Sequence, residues 1–108
     1  MWIFLNNSFL SIVQHRDKPD HKMVRARLRG DIDNVFPDAE VVRTPQADYL
    51  YRATIPTSEV SAVLAKQIEE IDYDNFKNSV KDFGRARNYG EVWRLMYDYQ
   101  NRKSGEYK

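Results

Sequence analysis

The stretch Asp48–Ile55 constrains the fold most, because its side chains alternate and include several aromatic and β-branched residues. A period of two is typical of a β-strand that is buried on one face. Pro56 has no backbone N–H to donate, so it ends the strand, and Thr57 can cap an amphipathic helix that follows. One face of the strand would carry Tyr49, Tyr51, Ala53 and Ile55, and the other Leu50, Arg52 and Thr54.

The same kind of pattern predicts four further strands, and helical spacing predicts four helices. The helices are a short one capped by Asp31, one that buries a stripe from Val60 to Ile71, one around Phe76, and one from about Asn88 to about Gln100. The additional strands are Trp2–Leu5, Ser8–His15, Met23–Arg29 and Glu40–Thr44.

Strand, helix, strand, strand, helix is the order of a ferredoxin-like unit that lacks its last strand, and the N-terminal hairpin can supply that strand. We therefore predict a single α+β domain over residues 1–100, with a five-stranded antiparallel sheet in a permuted ferredoxin-like βαββα arrangement and helices mainly on one face. Residues 101–108 are polar and are expected to fray. The expected strand order is Trp2–Leu5, Ser8–His15, Met23–Arg29, Tyr49–Ile55, Glu40–Thr44. The residues expected to be buried are Val24, Leu28, Tyr51, Ile55, Val63, Leu64, Ile68, Phe76, Trp93 and Met96.

Arginines form the most informative functional pattern. Alternation places Arg25, Arg27 and Arg29 together on one face of their strand, and Arg52 on the same face of the sheet, with Arg43 if its short strand has the right phase. Guanidinium groups in a row suit phosphates or acidic protein surfaces. The alternative is that these arginines are solvated and paired with nearby acids, since 31% of the chain is charged.

The pattern predicts a binding module that docks an anionic partner on this basic face. A net charge of +1 and the expected position of Tyr49 and Tyr51 on the opposite face favour an acidic protein surface, with nucleic acid as a possible partner. The oligomeric state is open.

Catalysis is not indicated by any motif, and the catalytic residues are unknown. The segment from Asp72 to Val80 is rich in polar side chains, and Lys77 beside Asp72 or Asp74 could form an acid/base pair or contribute to binding. Helix capping by these carboxylates explains the same residues. The competing hypothesis is a small nuclease or nucleotide-handling enzyme that uses the arginine face and Asp72–Lys77.

Metal and cofactor sites are not predicted. The chain has no cysteine, and no phosphate loop or dinucleotide motif is present. His15, Asp17, Asp20 and His21 crowd one loop, but their spacing matches no metal signature. No apolar run is long enough to cross a bilayer, and the opening residues lack a basic n-region, so no membrane partner is expected and we expect a cytoplasmic protein.

Three motifs carry a resemblance. Asp48–Arg52 (DYLYR), Ile71–Lys77 (IDYDNFK) and the pair Val92-Trp93 with Met96 resemble a group of short uncharacterised proteins of bacteria and their phages, over most of the chain. The resemblance implies a stand-alone domain in a phage or host-defence context, and it assigns no activity and no site.

Overall fold

The structure is a computed structural model and describes residues 1–105. Its internal contacts divide the chain into two compact units, Met1–Asp72 and Tyr73–Lys108.

The first unit has α+β architecture. Its five strands form one antiparallel sheet in the order β1-β2-β3-β5-β4, which confirms the predicted order and the ferredoxin-like class. Both helices of this unit pack on the sheet. The elements are β1 Trp2–Phe4, β2 Phe9–Gln14, β3 His21–Ala26, α1 Asp31–Val35, β4 Val42–Arg43, β5 Tyr51–Pro56 and α2 Thr57–Glu69.

The register of the three central strands decides which residues share a face. Ile12 pairs with Val24, and Val24 pairs with Ala53, so these three side chains point to the same side. That side is covered by α1 and α2, and we call it the helix face. The core on it consists of Leu10, Ile12, Val24, Ala26, Ile32, Val35, Phe36, Ala53, Ile55 and Val60.

The opposite side of the sheet carries the alternate residues, and we call it the open face. Ser11 pairs with Arg25, and Arg25 pairs with Arg52, so their side chains share this side. The predicted alternation is confirmed within β3 up to Ala26 and within β5 from Tyr51 onward.

Two predicted core residues of the first unit are exposed. Leu28 was expected to continue the buried row of β3, but the strand ends at Ala26 and the side chain of Leu28 is 56% exposed. Ile68 is 69% exposed because it lies in the last turn of α2. The apolar stripe of this helix is therefore covered mainly near its N-terminus, where Val60 is buried.

The second unit contains α3, Phe76–Ser79, and α4, Phe83–Ser104. Asn75 and Asp82 cap the two helices by accepting hydrogen bonds from the backbone N–H groups of Asn78 and Arg85. The cap at Asp82 makes α4 begin before the predicted Asn88.

The C-terminal end of α4 also differs from the prediction. The helix continues through Ser104 and ends at Gly105, whose φ of 75° is the left-handed conformation favoured after a helix. The remainder of the predicted frayed tail, residues 106–108, lies outside the described residues.

The core of the second unit is small. The rings of Phe76 and Tyr89 stack with their centroids 5.8 Å apart; Tyr89 and Val80 are buried, whereas Phe76, predicted to be buried, is half-buried. Trp93 and Met96 were predicted to be buried, but they are 52% and 58% exposed. Among residues 1–105, none of the helices combines the length and the apolar character needed to span a bilayer.

Candidate binding face

Two arginines face each other at the centre of the open face. Arg25 on β3 pairs directly with Arg52 on β5, so two positive side chains occupy adjacent positions of the ladder. Like charges in this arrangement repel each other. Asp48 offsets the charge of Arg52 alone, because its Oδ1 lies 3.3 Å from Nη2 of that arginine. The side chain of Asp48 is 68% exposed.

Arg25 has a polar but uncharged partner. Its Nη2 donates to Oγ of Ser11 at 2.6 Å, and Ser11 is fully buried beneath it. The Nε atoms of Arg25 and Arg52 are buried, and within the described chain they have no hydrogen-bond partner. The central arginine pair therefore keeps hydrogen-bonding capacity that residues 1–105 do not use.

Tyr49 lies beneath two guanidinium groups of the open face. The Cζ atoms of Arg25 and Arg27 are 4.6 Å and 4.1 Å from the centroid of its ring, and Tyr49 itself is 3% exposed. These are cation–π distances, and they hold both arginines over one ring. Arg27 also donates from Nη1 to the backbone oxygen of Asp48 at 3.0 Å.

The position of Tyr49 corrects the sequence prediction. Tyr49 was expected on the same face as Tyr51, but β5 begins only at Tyr51, so residues 48–50 lie outside the ladder and need not alternate with it. Tyr51 does point to the helix face. An aromatic ring is therefore part of the basic face, where none was expected.

A cluster of three aromatic residues extends the open face over β1 and β2. Trp2 pairs with Ser11 and Phe4 pairs with Phe9, which puts all of them on the side that carries Arg25. The centroids of Phe4 and Phe9 are 4.6 Å apart, and Trp2 meets Phe9 edge-on at 6.1 Å. Trp2 is 66% exposed.

An open depression of about 450 Å³ lies on the same face at the end of the β2–β3 hairpin. Arg16 joins the central arginine pair there, so three guanidinium groups line one hollow. His15 accepts hydrogen bonds at Nδ1 from the backbone N–H groups of Asp17 and Lys18, which leaves Nε2 as the protonated nitrogen of the neutral ring. The lining residues are Val13, Gln14, His15, Arg16, Asp17, Met23, Arg25 and Arg52.

Arg29 and Arg43 do not belong to the open face. Arg29 follows the end of β3, and its Cζ lies 5.8 Å from the ring of Tyr51, a residue of the helix face. Arg43 pairs directly with Tyr51, and its neighbour Val42 pairs with Arg52. Both arginines instead line a shallow hollow beside Asp33.

Lys77 lies in α3 of the second unit, where its Nζ is 4.3 Å from the centroid of the Trp93 ring. Asp72 ends the first unit, and Tyr73 begins the second. The predicted binding set is therefore divided: Arg25, Arg27 and Arg52 share the open face, Arg29 lies outside it in the first unit, and Lys77 belongs to the second unit.

An ion pair joins the last residue of the β2–β3 loop to the first residue of β3. Nδ1 of His21 lies 2.7 Å from Oδ1 of Asp20, and this hydrogen bond, with further help from the backbone of Asp20 and from the charge of His21, lowers the pKa of Asp20. In the part of the chain that the structure describes, no three histidine or carboxylate side chains form a group able to hold a metal ion.

Sequence reasoning missed the residues that complete the open face, namely Trp2, Phe4, Phe9, Ser11 and Arg16. The alternation of side chains along the N-terminal hairpin could have identified four of them. Trp2 and Phe4 lie on the same face of one strand, and Phe9 and Ser11 lie on that face of the next. Arg16 has no such signal, since it lies in a loop. Comparison of the chain with protein-family models, curated proteins and solved structures gives no significant match.

Proposed function

We propose that the protein is a binding module that docks an anionic partner on the open face. The observation that carries the proposal is the direct pairing of Arg25 with Arg52, with Arg27 held beside them over the same tyrosine ring as Arg25. Among these three arginines, Arg52 forms an ion pair with the exposed carboxylate of Asp48, and Asp17 lines the same depression as Arg25 and Arg52.

Electrostatics explains why this arrangement suits an anion. Adjacent like charges destabilise a sheet by a few tenths of a kcal/mol to about 1 kcal/mol, and a bound phosphate or carboxylate removes that penalty. Guanidinium groups also donate two parallel hydrogen bonds to such anions. Anion binding would therefore convert an unfavourable contact within the free protein into a favourable one across the interface.

The alternative that the arginines are solvated and paired with acids applies to Arg52 and fails for its neighbours. Arg52 pairs with Asp48, but Arg25 and Arg27 have no carboxylate partner within residues 1–105. Their contacts are instead a serine hydroxyl, a backbone carbonyl and the ring of Tyr49. Neutral partners fix the positions of these arginines without cancelling their charge.

Two double variants with equal charge test the proposal. Arg25→Glu with Arg27→Glu changes the open face, and Arg29→Glu with Arg43→Glu changes arginines outside it. Each pair lowers the net charge by four, from +1 to −3. We expect the first variant to elute from immobilised heparin at clearly lower salt than the second, because the attraction is local and screened over about 10 Å.

Equal elution of the two double variants would contradict the proposal. Far-UV circular dichroism and the midpoint of thermal unfolding show whether each variant is folded. Because Ser11 loses its partner in Arg25→Glu, the single variant Arg27→Glu, compared with Arg43→Glu, gives a second test in which no buried hydroxyl is affected.

A further inference from the structure

We infer that the anionic partner is a single-stranded nucleic acid, in which a base stacks on Trp2 while Arg25, Arg27 and Arg52 contact phosphates. This inference rests on the proposed function and names the class of its ligand. It reverses the preference for an acidic protein surface, which depended on the net charge of +1 and on the absence of aromatic rings from the basic face, because the second of these two grounds is removed.

Trp2 offers the exposed ring that base stacking requires. It is 66% exposed, and it meets Phe9 through an edge-on contact with an interplanar angle of 77°. An edge-on contact with one neighbour does not cover both faces of the indole. Stacking on exposed aromatic side chains is the way in which proteins hold unpaired bases, and it tolerates any base because each has a flat π surface.

The ring and the cations lie in one row across the sheet. Trp2 pairs with Ser11, Ser11 with Arg25 and Arg25 with Arg52, so consecutive members of the row are separated by one strand spacing of about 4.8 Å. The backbone of Trp2 is therefore about 10 Å from that of Arg25 and about 14 Å from that of Arg52, measured across the strands. A polymer that crosses the strands meets an apolar ring first and then two guanidinium groups.

A nucleic-acid strand presents this combination in every unit, since each nucleotide carries one flat ring and one negative charge. A duplex does not, because its bases are stacked on each other and closed to a protein ring. The net charge of +1 limits how much of the affinity can come from charge. Few phosphates would be neutralised, so stacking would supply part of the affinity.

Tryptophan fluorescence and anisotropy give a direct test. The chain has two tryptophans, so a Trp93→Phe variant leaves Trp2 as the only indole. The probes are fluorescently labelled oligo(dT) and oligo(U), with a labelled duplex of the same length for comparison. We expect both single strands to bind and to quench the emission of Trp2, and the duplex to bind more weakly.

The salt dependence and the substitution of Trp2 sharpen this test. Three arginine contacts at about 0.7 released counterions each predict a slope of about −2 for the logarithm of the binding constant against the logarithm of the salt concentration. Trp2→Ala should weaken binding about tenfold or more, and Trp2→Phe should recover much of the loss. The matched control is Trp93→Ala, which removes an exposed indole of the second unit and should leave the affinity unchanged.

Three outcomes would overturn the inference: no binding of either single strand, tighter binding of the duplex, or full affinity in a folded Trp2→Ala variant. If the single strands do not bind while heparin elution still separates the two charge variants, the nucleic-acid assignment fails and the proposed function stands. If the charge variants also elute together, both fail.

Discussion

The sheet of the first unit and helix α4 of the second both follow an apolar pattern, yet they differ in how much of that pattern is buried. Residues on the helix face of the sheet, such as Leu10, Val24 and Ile55, are at most 2% exposed. In α4, Tyr89 is buried, whereas the large apolar side chains exposed along the helix range from 37% for Val92 to 81% for Phe83.

The difference shows that periodicity predicts which residues share a face and does not predict what covers that face. The sheet has two helices of its own unit packed on it, so its apolar face closes. Within the second unit, α4 packs against α3, which has four residues. A single turn of helix covers the part of α4 near Tyr89 and leaves the rest exposed.

Truncation of one leucine in each region should show the largest contrast. Leu10→Ala removes a fully buried side chain and should lower the free energy of unfolding by about 2–5 kcal/mol, through lost burial and the cavity left behind. Leu95→Ala removes a side chain that is 58% exposed and should change it by less than about 0.5 kcal/mol. Urea unfolding followed by circular dichroism measures both. Equal losses would show that α4 is covered in solution.

Aspartates at the two helix starts should give the next largest contrast. Asp31 is 2% exposed, and its Oδ2 accepts a hydrogen bond from the backbone N–H of Phe9 at 3.0 Å. Asp31→Ala should cost about 1–3 kcal/mol, because it leaves a donor of β2 without this partner. Asp82→Ala removes the cap of α4 and should cost about 1 kcal/mol, confined to the helix. Hydrogen exchange of α4 amides separates the local effect from the global one.

Two glycines should respond to alanine with opposite signs. Gly30 precedes α1 with a φ of 91°, and a Cβ there would meet no atom within 4 Å, so the effect is purely conformational. Gly30→Ala should destabilise the protein by about 1–2 kcal/mol. Gly90 lies inside α4, also without a neighbour within 4 Å, and Gly90→Ala should stabilise the helix by about 0.5–1 kcal/mol. The midpoint of thermal unfolding measures the effect of Gly30→Ala. The circular dichroism signal at 222 nm, which reports helix content, measures the effect of Gly90→Ala.

The ion pair between Asp20, whose side chain is 84% exposed, and His21 should give the smallest effect. Because the pKa of Asp20 is lowered in the folded protein, its contribution to stability is present above the ordinary pKa of aspartate, about 3.9, and is lost as the pH falls through the lower folded value.

The pH dependence can be measured as the difference in thermal midpoint between the wild type and Asp20→Asn. The difference should level off about one pH unit above the ordinary pKa of aspartate and should disappear in stronger acid. Asp17→Asn serves as the control in the same loop. A difference that grows as the pH falls would contradict the assigned direction.

Most of the fold follows from the sequence, because the alternation of β2, β3 and β5 and the hairpin order leave few topologies. The candidate site was only partly predicted. Arg25 and Arg52 follow from alternation inside strands, whereas Arg29, Leu28 and Tyr49 lie just beyond the strand ends that the ladder sets. Where hydrogen bonding to a neighbouring strand stops, the alternation of side chains no longer determines the face to which a residue points.

The two outer strands of the sheet are short: β1 has three residues and β4 has two. An outer strand displays unpaired N–H and C=O groups, and a long one acts as a template on which another chain can add a further strand. Outer strands of two and three residues offer few backbone hydrogen bonds to an added strand. The first unit is therefore poorly suited to strand addition or to fibre growth along its sheet, so recognition of the proposed anionic partner would depend on side chains of the sheet faces and not on the sheet edges.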